Sequence, residues 1–190
     1  MGWILLIGCG GIVLVVAVVA LWLVSVYNSL ARGKVAVQGA WADIDVQLKR
    51  RHDLIPNLVE TVKGYAKHER DTLEAVIAAR ARAVSAGPIE DKIAAEGGLS
   101  AALGRLMAVA EAYPDLKANT NFLQLQGELT STENIISGAR IGYNNTTGGY
   151  NQTLVVFPTN IVANLFGFRA MPFFEVTDAN ERSAPQVKFS

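Results

Sequence analysis

Two histidines, one cysteine, a cluster of mixed charges and two Tyr-Asn pairs are the residues of this chain whose types and spacing bear on chemistry. A histidine that ligates a metal or relays a proton needs a partner at a defined spacing. Lys49 lies three residues before His52 and Tyr65 three before His68, so neither histidine forms the Glu-x-x-His pair of a di-metal helical bundle. His68-Glu69 opens an HExxH zinc motif, but Thr72 stands where its second histidine belongs. On one helix the two histidines would be about 24 Å apart, too far to share an ion within one chain. Cys9 is the single cysteine, which excludes an intramolecular disulfide and any CxxC motif. GxSxG, P-loop and dinucleotide-binding glycine patterns do not occur. The expectation is a chain with no catalytic residue, no metal and no cofactor.

The mixed charges are Asp43, Asp45, Lys49, Arg50, Arg51 and Asp53. Asp45 to Lys49 and Lys49 to Asp53 are i,i+4 pairs, each of which supports a helix by about 0.2–0.5 kcal/mol. A solvated helix face is one reading of this cluster. The other is an interaction strip, formed by Asp45, Lys49, Arg50 and Asp53, that meets a partner or a lipid headgroup. Tyr143-Asn144 and Tyr150-Asn151 are seven residues apart, so both pairs face the same way on a helix. They read as helix-packing polar pairs, with a binding groove as the alternative.

The elements that must position these residues are helices. Trp41, Ile44, Leu48, Ile55, Leu58, Val62, Tyr65, Leu73, Val76 and Ile77 fall on one helical stripe, and Arg51 and Glu69 occupy stripe positions too. This first helix ends at Ser85-Ala86-Gly87-Pro88, and Pro56 inside it predicts a kink. Gly33 and Gly39 predict a loosened junction upstream. A second helix is expected from about Ile89 to Tyr113 and ends at Pro114, with Asp115 as the cap of the next helix. That third helix is expected from about Leu116 to Val156, and a short fourth from Asn160 to Phe166. Gly138 and Gly142 form a GxxxG spacing that predicts close helix packing. The fold class is all-α: an antiparallel up-down-up bundle of long helices, a short fourth helix and an extended tail packed through its aromatics.

Ahead of the bundle, Trp3 to Val24 is a run of 22 residues without a charged side chain. As a helix it covers about 33 Å, enough for about 30 Å of hydrocarbon. Trp3, Ile4, Leu14, Val19, Trp22 and Val24 are read as membrane-spanning, with Trp3, Trp22 and Tyr27 near the interfaces. The run is too long for a signal peptide and has no basic residue before it. Leu6-Ile7-Gly8-Cys9 looks like a lipobox, but only five residues precede it and the longer apolar stretch comes after it. Arg32 and Lys34 lie just beyond the span, which predicts an outside N-terminus and a cytoplasmic domain. Across the 190 residues, 17 basic side chains balance 17 acidic ones, so bulk electrostatic binding of nucleic acid is not expected.

The segment IDVQLKRRHDLIPNLV from Ile44 to Val59 is followed by ETVKGYAKHE, EAYPDLKANTNFLQLQGEL and two YN pairs. Together these resemble the LemA family of bacterial membrane proteins over nearly the whole chain. The resemblance implies an N-terminal transmembrane helix, single-pass, with the N-terminus outside the cytoplasmic membrane and a helical domain inside. It implies no defined biochemical activity. Thr146-Thr147-Gly148-Gly149 departs from the better helix formers usual in such proteins and puts the continuity of the third helix in question. The expected divisions are an anchor over 1–27, a helical domain over 28–168 and a tail over 169–190.

The leading expectation is a membrane-anchored, non-enzymatic scaffold or adaptor. Its expected partners are the lipid bilayer, other membrane proteins and copies of itself in a homo-oligomer. A membrane-remodelling or lipid-sensing assembly protein is the alternative, although alternating acids and bases differ from the basic face of a lipid-sensing helix. An enzyme with an unrecognised site comes last.

Overall fold

The computed structural model describes residues 2–174, with side chains from Gly10 onward. Trp3, Ile4 and Cys9 therefore lie outside the described side chains, and the tail beyond Phe174 lies outside the described residues. All regular structure among the described residues is helical: α1 (Gly2–Tyr65), α2 (Arg70–Ser85), α3 (Ile89–Ala110), α4 (Pro114–Lys117), α5 (Thr120–Val155) and α6 (Thr159–Leu165). The described residues form two compact units, one of residues 2–41 with Gly142–Phe173 and one of Ala42–Ile141 with Phe174.

The second unit is a four-helix bundle. α2 folds back on α1 and α3 on α2 through short turns. Contacts from Asp45 to Lys92 and from Arg51 to Ser100 run α1 and α3 in the same direction. Those from Tyr65 to Asn119 and from Arg51 to Glu133 run α5 against α1. The core is a cluster of fully buried aliphatics that includes Leu58, Val62, Val76, Leu99, Leu106 and Leu116. Each such side chain contributes about 1.5–3 kcal/mol through removal from water.

The all-α bundle agrees with the sequence reading, with one more helix than expected. The stripe from Trp41 to Ile77 is two helices, because Ala66–Glu69 form a turn. Val62, Ala66, Leu73 and Val76 all face one core, so a stripe folded back on itself keeps its spacing. Pro56 does not interrupt α1. Proline has no N–H to offer the carbonyl of His52 four residues earlier. The Arg80 Nε–H of α2 donates to that carbonyl instead, at 2.7 Å. Asn119, rather than Asp115, caps α5: its side-chain oxygen accepts from the Phe122 N–H at 3.0 Å.

The first unit pairs the N-terminal part of α1 with the C-terminal part of α5, antiparallel. Trp41 meets Tyr143 edge to face with ring centroids 5.5 Å apart. Tyr150 lies so close to Gly33 that an added Cβ would sit 3.0 Å from its ring. Gly33 is thus a close-approach position inside a continuous helix rather than a loosened joint. α6 packs Val162 and Ala163 onto Leu30, with Leu23, Val26, Leu154 and Phe168 around them. The helix also continues through Thr146–Gly149, where Thr147 is fully buried. Packing here outweighs the weak propensity of the Thr-Gly run. Gly138 and Gly142 do not mediate close packing, since a Cβ at either would meet nothing within 4 Å.

Candidate functional site

The densest arrangement of polar chemistry lies inside the four-helix unit. Arg51 projects from α1 at a core position and is 2% exposed. One of its terminal nitrogens donates to Glu133 Oε2 of α5 at 2.5 Å and to Ser100 Oγ of α3 at 3.1 Å. The other donates to Glu96 Oε2 of α3. The His52 Nε2–H donates to the second Glu96 oxygen at 2.6 Å. Arg140 of α5 adds a contact to Glu133 at 3.4 Å and lies over the Phe174 ring at 4.5 Å. One guanidinium thereby ties α1, α3 and α5 together.

The electrostatics arise from burial. Glu96 is 1% exposed, and loss of water alone would raise its pKa. The hydrogen bond from His52 and the charge of Arg51 outweigh that effect and hold the carboxyl below its ordinary value. The carboxylate is charged, with both oxygens occupied. A slipped arrangement of the helices would leave a buried charge unpaired, which is costly. Arg51 Nε makes no hydrogen bond.

The residues of the interaction strip occupy different surroundings. Lys49 and Asp53 pair at 2.7 Å on the exposed face, and the Lys49 hydrogen bond lowers the Asp53 pKa. Asp45 meets Lys92 of α3 at 2.8 Å, whereas Arg50 lies 4.0 Å from Glu128 of α5. The strip thus has an outward centre, Lys49 and Asp53, flanked by residues that lean toward opposite neighbours. Arg51, adjacent in sequence, points into the core.

In the first unit the Tyr-Asn pairs hold the segment C-terminal to α6. The Tyr143 hydroxyl donates to the Pro172 carbonyl at 2.7 Å, and that of Tyr150 to the Arg169 carbonyl at 3.1 Å. Asn151 accepts from the Met171 N–H and donates to the Met171 carbonyl, both at 2.8 Å. Burial raises the pKa of the Tyr150 phenol, so it stays a donor. Asn144 sits half-buried one residue beyond Tyr143. Leu14, Val19, Trp22 and Val24 are exposed on α1.

The Arg51–Glu96–His52 group is the arrangement that sequence reasoning missed. Its signals were present: Arg51 sits on an apolar stripe, and Glu96 lies at helical spacing between Ile93 and Leu99. A charge at a core position needs a partner at another core position.

The chain is similar to magnetosome protein MamQ 2 of Paramagnetospirillum magneticum, at 26% identity over 82% of this chain and 66% of that protein. It is similar to magnetosome protein MamQ of Magnetospirillum gryphiswaldense, at 25% identity over 85% of this chain and 70% of that protein. Protein LemA of Metamycoplasma hominis is 26% identical over 80% of this chain and 69% of its own length. The chain thus spans about two thirds of the length of these relatives, and none of their names specifies a reaction. Residues 40–189 match the LemA family, most of the helical region, and the chain belongs to that family.

Proposed function

We propose that this chain is a membrane-anchored, non-enzymatic helical scaffold or adaptor. Residues 1–27 form the anchor and 28–168 the helical domain, with the N-terminus outside the bacterial cytoplasmic membrane. The observation that carries this reading is how the polar groups are used. The buried ionisable groups Arg51, His52 and Glu96 bond to one another or to neighbouring helices. They rigidify a bundle and leave its long faces for partners. The large apolar side chains from Ile12 to Trp22, and Val24, stay exposed on α1, as a span facing lipid requires. α3 is also long and apolar enough to cross a membrane. It buries Ile93, Glu96, Leu99 and Leu106 in the bundle, so it is read as a core helix and the chain as single-pass.

The partners are other membrane proteins or further copies of this chain, met through Lys49, Arg50 and Asp53. Confinement to a membrane raises the effective concentration of such weak contacts. Each exposed ion pair contributes only about 0–1 kcal/mol, so several must act together. The test is chemical crosslinking of the full chain in membranes, then of the variant that combines Lys49→Glu with Arg50→Glu. Stoichiometric adducts that weaken in the variant, with helix content intact, are the expected result. Unchanged adducts would remove the strip from the interface, and reproducible turnover by the purified chain would replace the scaffold reading with an enzyme.

A further inference from the structure

We propose that the corner joining α5 to α6 is a second membrane contact, seated in the headgroup region of the same bilayer that α1 spans. The proposal rests on the reading of α1 as a membrane anchor. Its evidence lies in the first compact unit alone.

Residues 141–168 contain no charged side chain, a second uncharged stretch after the one at the N-terminus. α5 runs antiparallel to α1 and arrives, at Leu154, beside the end of the α1 apolar run. There the chain turns, and α6 buries Val162 and Ala163 against Leu30. Other apolar side chains of the corner are open: Phe157 is 75% exposed and Leu165 71%, and Val155 and Ile161 are exposed too. In water such a concentration of exposed apolar side chains in one short segment is unfavourable and marks a contact surface.

Two observations select lipid as the occupant. The first is continuity. Tyr27 lies edge to face with Phe166 and Phe168, at centroid distances of 5.0 and 5.6 Å. Leu23 and Val26 pack against the cluster that holds α6. The corner therefore stands level with the last residues of the span, where aromatic rings mark the interface. The second is charge. The unit's only charged side chains are Arg32, Lys34 and Arg169, all exposed, with no Asp or Glu. Three cations around an apolar corner match an anionic headgroup layer over an acyl boundary.

The full chain, with Cys9→Ser, is reconstituted into phosphatidylcholine vesicles with and without phosphatidylglycerol. A single cysteine carries an environment-sensitive fluorophore at Ile161→Cys or Leu165→Cys. Leu14→Cys marks the span, and Ile77→Cys, an exposed apolar position of α2, marks the aqueous domain. The expected result is blue-shifted emission at 161 and 165, quenched by lipid-borne shallow quenchers and protected from iodide, while 77 behaves oppositely. Phosphatidylglycerol should deepen the quenching, and Arg169→Gln should reduce that gain. Emission at 161 and 165 that matches 77, while 14 is quenched by deep lipid probes, overturns the corner proposal and leaves the anchor intact. A blue shift without lipid quenching assigns the patch to a second copy of the chain and also overturns it. Loss of quenching at 14 would remove the anchor reading itself.

Discussion

Arg51 is a charged side chain at a position where the helix pattern asks for an apolar one, and Glu96 is its answer on another helix. Removing Arg51 leaves Glu96 buried with His52 as its one remaining partner, and breaking a buried pair in this way typically costs about 3–5 kcal/mol. Arg51→Leu should therefore lower stability by about that amount in urea titrations, and Arg51→Leu with Glu96→Leu should recover most of the loss. The same pair sets a pH dependence. The folded-state pKa of Glu96 lies below its ordinary value of 4.5. Its contribution is present in full above that value and is lost as pH falls through it toward the lower folded pKa. Melting temperature should drop more steeply on acidification for the wild type than for Glu96→Gln. Arg51 could be singled out from sequence by its place on the stripe. Its partner could not be assigned, because 45 residues separate the two and tertiary packing alone decides which core positions meet.

α1 carries a proline in its interior, and α2 supplies a donor to the carbonyl that the proline leaves open. This makes a sharp double-mutant cycle. Pro56→Ala restores a backbone N–H to the His52 carbonyl, so Arg80→Met should cost less in that background than in the wild type. The coupling expected of groups that share one acceptor is about 0.5–3 kcal/mol, read by chemical denaturation. The elements themselves were largely legible. Breakers at Gly87-Pro88 and Pro114 separate helices where expected, and the apolar stripes match the buried faces. The hairpin at Ala66–Glu69 was hidden for a physical reason. Periodicity reports which face is buried, and both arms of a helical hairpin bury theirs against the same core. The continuity through Thr146–Gly149 was hidden likewise, since the burial of Thr147, and the position of the Phe173 ring 3.6 Å from where a Cβ on Gly148 would sit, arise only in the folded chain.

At the scale of the molecule, fold class and anchor were readable from composition because lipid and water sort side chains over whole segments. The use of the polar groups was not, since it depends on pairings across the fold. The orientation proposed from Arg32 and Lys34 has a direct check. Protease added to intact spheroplasts should leave the helical domain uncut until the cells are lysed, and prompt digestion without lysis would reverse the orientation.

The first unit is built from the two ends of the described chain, with Ala42–Ile141 between them. On the ribosome this imposes an order. The apolar start of α1 emerges first, while its packing partners in α5 and α6 are still untranslated. At about 5–20 residues per second, the intervening hundred residues take roughly 5–20 s to make. During that interval Leu30 lacks Val162 and Ala163, and Gly33 lacks Tyr150. The helices of the four-helix unit, all within Ala42–Ile141, are completed meanwhile. Completion of the membrane-proximal unit then comes as a late event, a docking of newly made α5 and α6 onto a helix already committed to the bilayer. A released chain truncated after residue 141 should accordingly hold a folded bundle and an unfinished first unit.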